Sequence, residues 1–192
     1  RHLEERAPCV YFPNDDAHHS CITPMLSDGV RIVGVVHSDS TWHYDQVARL
    51  GRSWDAVVAV SHAIAAHVPV VDPALAPRLS VIPYGVPVAE RVLLRPREPA
   101  APLRVVYAGR VASLQKRVSD LPRVVADTEA RGGAIELTVI GDGADLEPLR
   151  AQCAPLVARG AMRFVGTLSN TAVLAAFAAA DAVVLTSEFE GL

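Results

Sequence analysis

Lysine is almost absent from this sequence: of its 18 basic residues, seventeen are arginine and Lys116 stands alone. Excess charge of either sign is missing too. The formal net charge is -3 with 20% of residues charged, which excludes a broadly basic nucleic-acid surface and a disordered charged tail. No nucleic-acid partner is therefore expected, and any anion site must be local. Cysteine is scarce and odd in number: Cys9, Cys21 and Cys153 form no CxxC pair, which argues against a disulfide framework and suits a reducing, cytoplasmic setting. No apolar run approaches the roughly 18 to 20 residues that cross a bilayer, and the opening "RHLEERAP" lacks the pattern of a signal peptide. Any membrane contact is expected to be peripheral. Repeats and low-complexity segments are absent, although "VLAAFAAAD" is rich in alanine. The sequence starts at Arg1 without methionine and stops at Leu192 just after "SEFEG", where a loop is beginning; both ends are expected to be cut.

What is present is ample material for a core, with 51% hydrophobic residues in a chain of 192. Short β-branched runs alternate with helical patterns, as in βαβ units built around parallel sheets. Strands are expected at 9–12, 31–36, 55–60 and 79–83, and a second series at 103–108, 135–140, 162–166 and 181–186. Their near-continuous apolar character points to burial on both faces. Helices are expected at 42–51, 61–68, 119–131, 145–158 and 169–179, with Ser61, Ser119 and Ser169 at N-cap positions and "RGG" as a glycine stop. Between the two series "YGVPVAERVLLRPREPAAP", residues 84–102, is rich in proline and reads as a linker. The fold class is α/β, with domains expected over 1–83 and 103–192.

Three stretches carry candidate chemistry. In "RVVYAGRVASLQKRVSD" a strand ends in a glycine turn, and Arg110 and Lys116 follow six positions apart. A guanidinium fork and a compact ammonium at the carboxyl edge of a parallel sheet suit a diphosphate, helped by amides at the start of the next helix. Two solvated surface cations are the plainer reading. In "VIGDGADLEPL" Gly141 and Gly143 would let backbone approach a ligand. The third glycine of a dinucleotide fingerprint is replaced by Leu146, so an ordinary tight turn stays open. In "LTSEFEGL" Glu188 and Glu190 leave a strand beside Gly191, where carboxylates can accept hydrogen bonds from sugar hydroxyls or simply face water.

The order and spacing of "AGRVASLQKR", "VIGDGADLEPLR", "RFVGTLSN" and "AADAVVLTSEFEGL" resemble the retaining glycosyltransferases of family four, over roughly residues 55 to 192, and "VIPYGVP" at 81–87 resembles that family's domain junction. The resemblance implies a GT-B architecture, two Rossmann-like domains facing a cleft, both incomplete here: an acceptor side at 1–83, a linker at 84–102 and a donor side at 103–192. It implies transfer of a sugar from a nucleotide-diphosphate donor to a glycan, lipid or small-molecule acceptor hydroxyl with retention, a step of glycan biosynthesis. By the same resemblance Arg110 and Lys116 hold the diphosphate, while Gly109, Gly141, Gly143 and Val165 border the donor. Glu190 matches the first acid of an E-x7-E pair and lies near the donor sugar. The second acid falls beyond Leu192, so the chain alone is expected to turn over poorly. His37, in "VVHSDSTWHY", resembles the histidine that the family keeps in its cleft. A lone histidine at a strand end also has structural or solvated uses.

A different class is open as well. Asp15, Asp16, His18, His19 and Cys21, with His37, Asp39 and His43, offer ligands for a metal-dependent hydrolase, without the helical i, i+4 pairing or closed tetrahedral spacing of established sites. A non-catalytic nucleotide-sugar-binding module is a third reading. For the transferase no metal cofactor is expected, since Arg110 and Lys116 would take over the work of a divalent cation.

Overall fold

The computed structural model describes residues 1–14, 16–86, 98 and 101–191. Most of the linker expected at 84–102, and Asp15 of the hydrolase reading, lie outside the described residues. The chain forms two compact units, one of Arg1–Val88 with Phe189–Leu192, the other of Ala89–Glu188.

In the first unit, strands β1 (Cys9–Tyr11), β2 (Val30–Val36), β3 (Ala56–Ala59) and β4 (Leu79–Val81) form a parallel sheet in the order β1-β2-β3-β4. The run of valines and isoleucine in β2 favours an extended chain, and every second residue from Val30 is buried or nearly so. Between the strands lie α1 (Ala17–Ser20), α2 (Thr41–Leu50) and α3 (His62–Val71). Ser61 caps α3 as the sequence suggests, its Oγ accepting the Ile64 amide at 3.4 Å. The helices turn Val47, Ile64 and Val68 inward onto Ile32, Val36 and Val57, all buried. Two aspartates pin the other end of the sheet. Asp55 accepts the Ile32 amide and the Arg31 guanidinium, each at 2.7 Å, and Asp72 accepts Arg52 Nε at 2.8 Å.

The second unit holds β5 (Leu103–Ala108), α4 (Ser113–Lys116), α5 (Leu121–Ala130), β6 (Ile135–Ile140), α6 (Leu146–Gln152), α7 (Ala154–Ala158), β7 (Met162–Gly166), α8 (Asn170–Ala179) and β8 (Ala182–Val183). Its parallel sheet runs β7-β6-β5-β8. The chain thus steps outward from β5 to β7 and then crosses back to the far side of β5. Ligands of open α/β sheets bind beyond the carboxyl ends of the strands. The core beneath joins Val105, Tyr107 and Val111 to Leu121, Val125, Leu137 and Val139. Truncating the fully buried Leu137 to alanine would cost about 2 to 5 kcal/mol.

Four expectations are corrected. Ser119 is not the cap of α5. Arg117, left-handed at φ 46 and ψ 42, ends α4 and opens a 3-10 turn over Val118–Asp120 that leads into α5. Asp120 flanks that helix, and its carboxylate faces Arg117 Nε at 2.9 Å instead of the helix amides. The helix expected at 145–158 breaks at Cys153, because Pro155 opens α7 and cannot continue a helix from within. The last strand shrinks from 181–186 to two residues, both exposed, because it pairs with β5 alone as an edge. Burial on both faces fails there, and equally at the edge strands β1 and β7: Val183 is 49% exposed, Val10 59% and Val165 41%.

Candidate functional site

The second unit builds its site where β5 and β6 end. Six register pairs, Leu103 with Ile135 through Ala108 with Ile140, bring both strands out at the same level. The turns that follow are then tied together. Gly109 N–H donates to Ile140 O at 3.0 Å, Val111 N–H to Asp142 O at 2.9 Å and Gly141 N–H to Gly166 O at 2.9 Å. This closeness requires glycine. Gly141 has φ +132, and a Cβ there would lie 1.9 Å from the Gly109 carbonyl oxygen; at Gly143, φ +159, it would lie 2.3 Å from Val111 O. Both glycines of "GDG" are therefore demanded by the packing of one turn on the other.

Between these turns opens a cavity of about 390 Å³, lined by Gly109, Arg110, Gly141, Asp142, Thr167 and Leu168 among others. Buried Tyr107 donates its hydroxyl to Arg110 O at 2.7 Å, so the backbone carrying this guanidinium is fixed from below. Lys116 is held by its own backbone: Thr186 Oγ1–H donates to Lys116 O at 2.6 Å, and Glu188 N–H donates to Gln115 O at 2.8 Å. Arg117 completes this attachment, reaching Glu188 at 2.7 Å and Asp120 at 2.8 Å. The Glu188 carboxylate, with Asp120, pushes Arg117 further up and keeps it a cation. Arg110, Gly109 and Gly141 line the cavity; Lys116, Gly143 and Val165 are not among its lining residues, Val165 lying exposed on β7. The amides of the next helix are less available than the sequence suggests. That helix is one turn long, and its Ser113 amide already donates to Asp145 Oδ2 at 2.5 Å. Thr167 and Leu168, missed from the sequence, follow directly on the "FVG" glycine that turns the chain at Gly166, φ +72.

In the first unit His37 follows β2 at the carboxyl edge of the sheet. Its imidazole lies edge to edge with the Tyr84 ring, centroids 5.9 Å apart and planes 7° from parallel. Nδ1 pairs with the Tyr84 hydroxyl, and Nε2 lies 3.1 Å from Asn14 Oδ1. The "EG" segment rests on the same loop: Asp39 N–H donates to Glu190 O at 2.9 Å, and a Cβ on Gly191 would lie 2.2 Å from His37 O. His37 and Glu190 are thus neighbours within this unit.

Among the described residues the hydrolase ligands do not converge. Asp16 turns to the start of α1, accepting the His19 amide at 2.9 Å, and this bond holds its carboxyl below the usual range. Asp39 accepts the Tyr44 hydroxyl at 2.6 Å, and His43 Nδ1 meets Ser40 Oγ at 2.6 Å. Among the described residues no three His, Cys, Asp or Glu side chains are grouped to hold a metal ion.

Residues 95–192, just over half the chain, match the family model of the glycosyl transferases group 1. The chain belongs to that family. No curated protein matches it. Among solved structures this group 1 chain is similar to the lipopolysaccharide outer core galactosyltransferase WaaB, at 24% identity over 96% of this chain and 52% of that one, with a TM-score of 0.67. It is similar to the pneumococcal O-GlcNAc transferase GtfA in complex with UDP and GlcNAc, at 15% identity over 89% and 35%, TM-score 0.69. A mutant TarM of S. aureus, in complex with fondaparinux, alpha-GlcNAc-glycerol and UDP, matches at 14% identity over 85% and 34%, TM-score 0.67. At such identities the likeness is one of fold, the mixed α/β class with parallel sheets seen in GT-B glycosyltransferases. The chain spans between about a third and about half the length of these proteins. Among the described residues no helix is long and apolar enough to cross a membrane.

Proposed function

We propose that this group 1 chain serves a glycosyltransferase of family four that moves a sugar from a nucleotide-diphosphate donor to an acceptor hydroxyl with retained configuration. The second unit is the donor side and the first the acceptor side. The observation that carries this reading is the cavity of about 390 Å³ at the carboxyl ends of β5 and β6, with Arg110 on its wall and glycine turns at its floor, inside the stretch that matches the family. UDP in the TarM and GtfA structures makes a uridine diphosphate the natural first probe.

In this reading Arg110 forks onto phosphate oxygens and Lys116 adds a point charge, so that negative charge growing on the departing diphosphate meets fixed cations. Metal is not needed for that step. Glu190 and His37 act on the sugar, and the acceptor is a glycan, a lipid or a small molecule taken up from a cytoplasmic setting with at most peripheral membrane contact.

Calorimetry with UDP on the wild-type chain and on Arg110→Ala and Lys116→Ala tests it. Loss of a hydrogen bond to a charged group corresponds to about 1.5 to 3 kcal/mol, roughly ten- to hundredfold in affinity. Uridine should bind all three alike. Equal UDP affinity in all three would return both cations to the solvated surface and remove the proposal.

A further inference from the structure

We propose that Tyr84 and Asn14 are positioning residues that fix the tautomer of His37, with the ring proton on Nε2 and the lone pair on Nδ1. The argument is one of donors and acceptors. Asn14 Oδ1, 3.1 Å from Nε2, has lone pairs only, so Nε2 must bring the hydrogen. In a neutral imidazole that leaves Nδ1 as acceptor, and the Tyr84 hydroxyl beside it donates. The two ring planes lie 7° from parallel with centroids 5.9 Å apart, so the hydroxyl meets Nδ1 close to the imidazole plane, where its lone pair lies. Asn14 is suited to its place, since asparagine tolerates the left-handed backbone it adopts there, φ 46. From behind, Gly191 closes on His37 O, where any side chain would collide.

The consequence is directional. His37 offers an N–H from Nε2 and has no free lone pair with which to take a proton, because Nδ1 is spent on Tyr84. Asn14 Oδ1 occupies the position that a ligand oxygen would take at that N–H. An oxygen of the donor or acceptor that displaces Asn14 Oδ1 would be oriented by this N–H, and His37 does not act as general base. That last role rests on the transferase reading; the tautomer does not.

The test is the ring-nitrogen spectrum of His37 in the 192-residue chain, labelled with 15N-histidine and recorded by long-range proton–nitrogen correlation at neutral pH. The His37 signals, one set of seven histidines, are assigned with His37→Gln. Wild type should give the Nε2-protonated pattern. Tyr84→Phe keeps the ring and removes only the hydroxyl, and should leave the melting temperature in place while moving the pattern towards a mixture of tautomers. Asn14→Asp, whose carboxylate still accepts, should retain the wild-type pattern, and Asn14→Ala should weaken it. A wild-type pattern protonated on Nδ1 overturns the proposal, as does a pattern unmoved by both Tyr84→Phe and Asn14→Ala. UDP affinity indifferent to both Arg110→Ala and Lys116→Ala would remove the transferase reading and leave the tautomer assignment standing.

Discussion

Arg117 and Glu188, 71 positions apart in sequence, meet through a 2.7 Å contact between guanidinium and carboxylate. The pair ties the turn after Lys116 to the chain leaving β8, alongside the Thr186 and Glu188 backbone links. It does so from a strained base, because Arg117 is one of two described non-glycine residues with positive φ. Left-handed backbone in a residue with a Cβ persists where its surroundings hold it, and it clusters at ligand sites.

Two substitutions at this position should therefore differ in sign of backbone strain while losing the same ion pairs. Arg117→Gly removes the pairs and relieves the strain; Arg117→Ala removes the pairs and keeps it. Denaturant unfolding should rank wild type and Arg117→Gly close together, with Arg117→Ala clearly below both. Since the side chain is half exposed, salt should narrow the gap between wild type and Arg117→Gly. A less stable glycine variant than alanine variant would show that strain at this φ is not a term in the balance.

The glycine turn makes a larger demand. Gly141→Ala would set a Cβ against the Gly109 carbonyl, and Gly143→Ala one against Val111. Each should lower unfolding free energy by about 2 to 4 kcal/mol, from backbone strain plus a clash that only movement of the facing turn can relieve. Gly132→Ala is the control. At φ +80 with open space around it, it carries the conformational cost alone, about 1 kcal/mol. Equal losses at all three positions would mean that contact between the turns is not what selects glycine.

The acid limb of stability should trace to the first unit. The Ile32 amide, then Arg31, holds the Asp55 carboxyl below its usual range, and Arg52, then the Ala74 amide, does the same for Asp72. A carboxyl whose folded pKa is depressed adds stability that is fully present above its unfolded value, near about 3.9, and lost as pH falls through the folded one. Stability of the chain should drop on acidification below about pH 4. Asp55→Asn and Asp72→Asn should each start lower at neutral pH and show a shallower fall. Unfolding curves taken from pH 7 to pH 2 that stay parallel across all three proteins would contradict this.

Much of this was legible in the sequence, and the exceptions have physical causes. Strands such as "LRVVYA" and "IELTVI" read correctly because β-branched runs bounded by glycine have few other uses. Ser61 and Ser169 read correctly as caps because their hydroxyls reach Ile64 and Ala172, three residues on. Ser119 misled because nothing about an arginine signals the left-handed turn that Arg117 supplies two residues earlier. The glycine-bounded cavity was foreseeable, since "AGR" and "GDG" mark turns after strands. The surroundings of His37 were not. Tyr84 and Asn14 converge on it from 47 and 23 positions away, and only the folded sheet brings them there.

The lone lysine gives the sharpest test of the donor site. Its backbone carbonyl is held by Thr186 and its neighbour Gln115 by Glu188, so the loop fixes where the ammonium can reach. Lys116→Arg preserves charge and leaves these backbone links intact. If the site needs only positive charge, UDP should bind it as tightly as wild type. If a compact ammonium must meet phosphate oxygens from a fixed backbone, the longer planar guanidinium cannot take the same place. We expect the second outcome: UDP affinity reduced at least threefold in Lys116→Arg and roughly ten- to hundredfold in Lys116→Ala, with melting temperatures of both close to wild type. Calorimetry at two salt concentrations separates the cases, because an interaction that is merely long-range and electrostatic weakens steeply with salt, whereas a direct contact retains most of its difference. Lys116→Arg indistinguishable from wild type at both concentrations would show that any cation serves, and that the use of lysine here has no part in holding the diphosphate.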